Sequence, residues 1–373
     1  MAPVTSPSIM LAAGGTGGHL FPAFALAQEL GRRSIAVDLV TDMRGDRYGS
    51  TFPARAIYRV PSATFAGRAI LGAARTSWML TRGIAASLKL MRDIKPGAVV
   101  GFGGYPAFPP LVAARLRNIP TALHEQNAVL GRANRALAKY VTAVATSFDN
   151  TKLLDGRALA RSRVTGNPVR DQVVDWATQS YQPPHRGGPF SLLVFGGSQG
   201  ARYFADAVPP AVALLPEAIK ANLFVVQQCR EEDLKRVEAA YEAANVRSHL
   251  AAFFANLPDE MAKAHLVIGR SGASTVAELA VMGRPAILVP LPHALDNDQL
   301  QNARRLAESG GAWCMEQSGL TPAILGQAIA RLFASPETLM QASTAAKAQG
   351  RPDAVSRLAD LVEELIGRQQ VSA

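Results

Sequence analysis

Three glycine-dense stretches each follow a short apolar run: GGTGGH at 14–19, GFGGYP at 101–106 and FGGSQG at 195–200. Glycine lets a backbone approach a ligand closely and adopt positive φ. A loop of N–H groups that opens a helix carries partial positive charge, which suits a phosphate or another anion. His19 closes the first loop, and histidine is the side chain whose charge changes near neutral pH. A single loop of this kind can serve only tight packing of strand on helix. Three of them at strand ends point to ligands. None has the dinucleotide spacing: GTGGHL puts Leu20 where the last glycine of GxGxxG belongs, and GGSQGA is out of register. None is followed by the Lys-Ser/Thr of a phosphate-binding P-loop. A nicotinamide enzyme and a P-loop NTPase are therefore disfavoured.

The elements that must carry these loops repeat in two halves. IMLAA near residues 9–13 leads into the first loop and a helix-length apolar-periodic stretch. SLLVF at 191–195 leads into GGSQGAR and then YFADAVPPAVALL. Further apolar runs alternate with helix-length segments: IAVDLV, AVVGF, TALHE and TAVAT in the first half, and NLFVVQQ, LVIGR and AILVP in the second. Continuous apolar strands separated by helices imply parallel sheets covered on both faces. The expected class is α/β, with two tandem doubly wound Rossmann-like domains. The polar, Pro- and Gly-rich DWATQSYQPPHRGGP at 175–189 marks the change from one half to the other. The expected domains are 1–170 and 171–351. An amphipathic C-terminal helix at 352–369 has Val355, Leu358, Leu361, Val362 and Leu365 on one face and can pack on either. Ligands of such sheets sit beyond the carboxyl ends of the strands, so the interdomain cleft is the expected active site.

Composition narrows the chemistry. The chain has 373 residues, 48% hydrophobic and 18% charged, which suits a folded two-domain protein. Cys229 and Cys314 are far apart with no Cys/His cluster, which fits a reducing compartment and disfavours structural zinc. The first residues lack a basic segment followed by a long apolar one, and no stretch reaches about 18 apolar residues. A cytoplasmic protein is expected. The net charge of +10 favours phosphate-bearing partners. With no long Lys/Arg run and little basic–aromatic interleaving, nucleic acid is not an expected partner.

Six segments in this order carry a resemblance: GGTGGHLFPA, GFGGYPA, LHEQNAVLGRANR, VTGNPVR, VFGGSQGAR and RSGASTVAELAVMGRPAILVPLPHALDNDQLQNA. Over nearly the whole chain the sequence resembles the MurG family of peptidoglycan N-acetylglucosaminyltransferases, which have the two-domain GT-B build. The resemblance implies transfer of N-acetylglucosamine from UDP-N-acetylglucosamine to the 4-hydroxyl of N-acetylmuramoyl-pentapeptide on undecaprenyl diphosphate, turning lipid I into lipid II. It implies inversion at the anomeric carbon, no covalent intermediate, no cofactor, no obligatory metal, and a peripheral position on the cytoplasmic face of the membrane.

The resemblance also implies roles. Inversion in one displacement needs a base for the attacking hydroxyl, stabilisation of the departing diphosphate, and alignment of both sugars. Ser198 falls where a helix N-terminus would meet the diphosphate, and Arg170 is carried over as a second phosphate contact. Ala273, Ser274, Thr275, Val276, Ala277 and Glu278 are assigned to the nucleoside, with the Glu278 carboxylate on the ribose hydroxyls. Phe254 matches a position whose backbone reads uracil, while its ring is expected in the core. Gln299 and Asn127 are assigned to the transferred sugar. Asp298 stands where relatives commonly have His or Gln. Asp296–Asn297–Asp298 spells DxD, here read as hydroxyl binding or helix capping rather than a metal site. His19 is the first candidate for the base, with anchoring of the acceptor diphosphate as the other reading of it. Glu125 is the competing base, and His124 is expected to be structural. Thr16, Gly17 and Gly18 are expected at acceptor phosphate or donor sugar, and Tyr105 at the acceptor.

A lipid acceptor requires a membrane-facing surface. On the segment 68–95, Leu80, Ile84, Leu88 and Met91 form a core stripe, while Arg75, Arg82 and Lys89 recur every seven residues on another face near Trp78 and Met79. A basic stripe beside Trp suits an anionic bilayer. A solvated helix face has the same pattern. The competing functions are another GT-B UDP-sugar transferase, a UDP-N-acetylglucosamine 2-epimerase, and a non-catalytic nucleotide-binding scaffold at the membrane. The first two differ in the N-terminal half, and the retained His19, Ser198, Glu278 and Gln299 speak against the third.

Overall fold

The computed structural model describes residues 8–14, 17–42, 52–62 and 70–372. The chain divides into two compact units: residues 1–170 with 353–373, and residues 171–352.

The N-terminal unit holds a seven-stranded parallel sheet. Its strands are β1 Ser8–Ala12, β2 Ala36–Thr41, β3 Ala56–Arg59, β4 Ala98–Gly101, β5 Thr121–Glu125, β6 Ala143–Thr146 and β7 Ser162–Val164, ordered β3-β2-β1-β4-β5-β6-β7. Alternate strand residues feed two cores, because successive side chains point to opposite faces. Ile9 and Leu11 join one core with Leu20, Leu26 and Leu30 of the Gly17–Arg32 helix. Met10 and Ala12 join the other with Met91, Leu111 and Leu137 from the helices on the far face. The C-terminal helix Ala354–Ser372 adds Leu358, Leu361, Val362 and Leu365 to the first of these cores. Each such burial contributes roughly 1.5–3 kcal/mol. Arg33 fastens the same helix through Asp360 at 2.6 Å and Glu363 at 3.0 Å.

The C-terminal unit holds six parallel strands: β8 Phe190–Phe195, β9 Leu223–Gln228, β10 Arg247–Ala251, β11 Leu266–Gly269, β12 Ala286–Leu288 and β13 Ala312–Cys314, ordered β10-β9-β8-β11-β12-β13. Counted from its own first strand this is 3-2-1-4-5-6, the order of doubly wound nucleotide-binding sheets, and the N-terminal sheet begins the same way. The Pro- and Gly-rich stretch 175–189 does not separate the units. It lies inside the second, because Tyr181 is buried there, the Tyr181 hydroxyl donates to the His265 carbonyl, and Lys347 Nζ donates to the Ala177 carbonyl.

Candidate active site

In each sheet the strand order reverses at one point, β1/β4 in the first and β8/β11 in the second. The loops leaving the carboxyl ends there form the crevice where such sheets take ligands. All three glycine loops lie at these points.

At the first, β1 ends at Ala12 and the helix begins at Gly17, with Gly17 half-buried, Gly18 exposed and His19 half-buried as its third residue. Thr16 lies outside the described residues. After β4, Gly103 and Gly104 take φ of 85° and 71°, which an L side chain rarely adopts. A Cβ on Gly103 would stand 3.3 Å from His19 Cε1 and 3.3 Å from Asn134 Nδ2, and one on Gly104 would stand 3.4 Å from His19 Cδ2. The second glycine loop is therefore bare in order to house the protein's own imidazole. Tyr105 follows at the start of a 3-10 turn and is half-buried.

His19 is held from the end of β5. Its Nδ1 lies 3.0 Å from Gln126 Oε1. Gln126 Nε2 lies 2.9 Å from His124 Nδ1 and donates to the His124 carbonyl at 3.0 Å. His124 Nε2 lies 2.9 Å from the Gly166 carbonyl. His124 is wholly buried, and loss of hydration pushes its pKa down to about 4, with the Gly166 bond opposing and the charge of His19 adding to the fall.

Glu125 is tied into its own loop. It is 1% exposed, and both oxygens are committed. Oε1 accepts from the Asn127 backbone at 3.0 Å and from Asn127 Nδ2 at 3.2 Å, while Oε2 accepts from the Gly131 backbone and from Asn134 Nδ2, both at 2.8 Å. A buried carboxylate with four donors is a brace for its loop. A base must reach a substrate hydroxyl, and this one is turned inward. Through it the orientation of Asn127 is fixed. Arg170 is half-buried, its guanidinium 5.2 Å over the Phe21 ring of the helix that carries His19.

At the second reversal point, β8 ends at Phe195 and the Gly197–Ala213 helix begins with Gly197 at φ 68°. Ser198 is its second residue, so its backbone N–H belongs to the unpaired first turn. Beside it, with Gly269 in register with Phe195, β11 leads into the Ala273–Met282 helix. Ala273 and Val276 are buried, Ser274, Thr275 and Ala277 are half-buried, and Glu278 is only 4% exposed. The side chains of Ala273 and Val276 thus belong to the core, and what they offer a ligand is backbone. The Ser274 hydroxyl is buried with no hydrogen-bond partner among the described residues.

Gln299 is tied into the same loop system. Its Oε1 accepts from the Leu291 backbone at 3.0 Å, its carbonyl accepts from the Ser271 hydroxyl at 2.7 Å, and Asn302 donates to the Ser271 carbonyl at 3.2 Å. Asp298 opens the Asp298–Glu308 helix, and its Oδ1 accepts the Gln299 N–H at 2.7 Å, a local contact within the first turn. Phe254 follows β10 with its ring buried 5.7 Å from that of His249. Four positions escaped the sequence reading: Gln126, Asn134, Ser271 and Arg270. Arg270 is buried, donates to the Val289 and Pro290 carbonyls and to Gln317, and lies over Tyr203 and Phe204, so desolvation lowers its pKa. For Gln126 and Arg270 the hint in the sequence is a polar residue directly after an apolar strand.

Comparison with known proteins agrees with this geometry. The glycosyltransferase family 28 N-terminal domain matches residues 9–146, and the family 28 C-terminal domain matches residues 191–358. The UDP-N-acetylglucosamine–N-acetylmuramyl-(pentapeptide) pyrophosphoryl-undecaprenol N-acetylglucosamine transferase of Methylobacterium nodulans is 52% identical over 363 residues, covering 97% of each chain. The crystal structure of Acinetobacter baumannii MurG is similar over 96% of this chain and 99% of that one, at 30% identity and a TM-score of 0.78. A UDP-GlcNAc 2-epimerase from Neisseria meningitidis shares the fold alone, with 16% identity, a TM-score of 0.65, and coverage of 96% of this chain and 100% of the other.

Proposed function

The chain belongs to glycosyltransferase family 28, and we propose on that premise that it moves N-acetylglucosamine from UDP-N-acetylglucosamine to the 4-hydroxyl of N-acetylmuramoyl-pentapeptide-diphospho-undecaprenol. The observation that carries this reading is the joint presence of the full-length 52% likeness to a transferase of that name and a histidine seated at the β1/β4 reversal point. The epimerase likeness is one of fold and favours no second activity.

In one displacement the bond from the anomeric carbon to the UDP phosphate oxygen breaks as the bond to the acceptor oxygen forms. The acceptor proton goes to His19 Nε2, and the negative charge leaves on UDP. In the N-terminal unit His19 is the base, Glu125 braces Asn127 for the sugar, Tyr105 and the Gly17–Gly18 backbone together with Thr16 hold the acceptor, and Arg170 offers a guanidinium to phosphate. In the C-terminal unit the N-terminus of the Gly197–Ala213 helix, with Ser198, takes the donor diphosphate. The Ala273–Glu278 turn and the backbone at Phe254 take the nucleoside, and Gln299 takes the sugar hydroxyls.

No helix among the described residues is long and apolar enough to cross a membrane. The acceptor lipid is met instead at a cytoplasmic, anionic membrane surface by the Ile70–Ile94 helix. There Arg75, Arg82 and Lys89 are exposed, and the Arg82 guanidinium lies 4.7 Å over the exposed Trp78 ring.

The test is transfer itself. Purified protein, radiolabelled UDP-N-acetylglucosamine and a lipid I analogue should give a β-linked disaccharide lipid in the presence of a chelator. Release of free N-acetylmannosamine and UDP without acceptor, or no lipid-linked product at all, would overturn the assignment.

A further inference from the structure

We propose that Gln126 and His124 are positioning residues that fix the tautomer of His19, so that its neutral imidazole carries the proton on Nδ1 and presents the Nε2 lone pair to the acceptor hydroxyl. This rests on the reading of His19 as the base and adds what makes it one.

The chain of contacts has a single consistent polarity. The Gly166 carbonyl can only accept, so His124 Nε2 carries a proton. Neutral His124 then has a lone pair on Nδ1. Burial holds it neutral, since its pKa is pushed down to about 4. The Gln126 atom 2.9 Å from that lone pair must therefore be the amide NH2, which also donates to the His124 carbonyl. Turning the amide over would set its oxygen against a lone pair and a carbonyl together. With the NH2 so committed, Oε1 is the atom 3.0 Å from His19 Nδ1, and an oxygen there demands a proton on that nitrogen. A neutral imidazole has only one, so Nε2 is left as acceptor. The relay runs from a backbone carbonyl through two side chains to the base, and Thr165 donates to the same carbonyl at 3.1 Å.

A buried hydrogen-bonded amide has a packing role as well, and the two are separable. The decisive measurement is 15N NMR of the histidine-labelled full chain without ligand, at a pH where His19 is neutral, with its resonances assigned by their loss in His19→Asn. The expected result is a protonated Nδ1. An Nε2–H form, or an even mixture of the two, overturns the proposal whatever the enzyme transfers.

Two variants carry the kinetic arm. Gln126→Leu removes the acceptor and should lower kcat by roughly 100-fold or more, with KM for UDP-N-acetylglucosamine changed by less than about threefold, and should leave His19 with mixed tautomers. Gln126→Glu keeps an oxygen toward Nδ1 when its other oxygen is protonated and donates to His124, and at a pH low enough to hold that proton it should recover most of kcat. Equal loss in both variants, or a kcat drop in Gln126→Leu with the Nδ1–H tautomer intact, would sink the idea. Should Gln126→Leu fail to fold, the wild-type spectrum and the Glu variant still decide. If the wild-type chain makes no lipid-linked product, the transferase reading fails while the tautomer measurement stands by itself.

Discussion

Replacing Glu125 with Gln separates a brace from a base. The carboxylate accepts four hydrogen bonds, two on each oxygen, and is 1% exposed. An amide of the same shape keeps one acceptor oxygen. However it is turned, its NH2 faces one pair of donors: either the Asn127 backbone and side chain, or the Gly131 backbone and the Asn134 side chain. Two charge-assisted bonds are lost at about 1.5–3 kcal/mol each, giving a cost of about 3–6 kcal/mol. In a unit of nearly 200 residues that lowers Tm on the order of 10 °C. The assay is urea and thermal denaturation of the ligand-free full chain, set beside kcat for transfer. A brace shows the stability loss without any substrate present. If Glu125→Gln keeps its denaturation midpoint and loses only kcat, the carboxylate meets substrate and the bracing argument is wrong.

Two further outcomes follow from the same structure. Between the ordinary value of 6.5 and the depressed value of about 4 for His124, the unfolded chain takes up a proton that the folded chain refuses. Stability from this group is complete above pH 6.5 and falls as the pH drops toward 4, at about 1.4 kcal/mol per pH unit, reaching about 3 kcal/mol. Denaturation midpoints of His124→Gln should therefore fall less steeply across that window than those of the wild type, and parallel slopes would contradict it. On the exposed face of the Ile70–Ile94 helix, Arg75→Glu with Arg82→Glu should weaken binding to phosphatidylserine vesicles by at least roughly 30-fold, at about fivefold for each basic side chain lost, with repulsion by the new carboxylates adding to it. Unaltered sedimentation with vesicles would show that this face is merely solvated.

How far the sequence carried the fold depended on where each strand lies. β1, β4 and β11 are central, buried along their whole length, and written as apolar runs such as IMLA, AVVG and LVIG. The four strands that escaped notice are β3, β7, β10 and β13, which are the four edges of the two sheets. AIYR and RSHLA alternate between half-buried and exposed residues because an edge strand is only partly covered, and AWC is three residues long. The C-terminal helix was legible as amphipathic, yet only tertiary packing assigns its Leu358–Leu365 face to the N-terminal core, because nothing in a helical period says which sheet it covers.

The site divides in the same way, between what lies close in sequence and what does not. Motif spacing pointed to His19 and to the glycine loops, but read all the glycines as space for a ligand. Gly103 and Gly104 are bare for the imidazole of His19, more than 80 residues earlier in the chain, and an alanine at either would press on the ring. Gln126 went unnoticed because its meaning lies in an oxygen aimed at a residue 107 positions away. The bracing contacts of Glu125 are illegible for the complementary reason. A carboxylate at a strand end in a polar motif has the composition of a base, and only its four inward donors show that it is spent on the loop. Both sheets share one strand order, so topology specifies where each unit can hold a ligand, while the loop residues specify what is done there. The first unit places a buried relay behind a histidine. The second places two helix N-termini side by side on neighbouring strands, an arrangement suited to charge and not to proton transfer. A change in the relay should therefore appear in kcat, and a change in the helix-opening loops should appear in the binding of the sugar nucleotide.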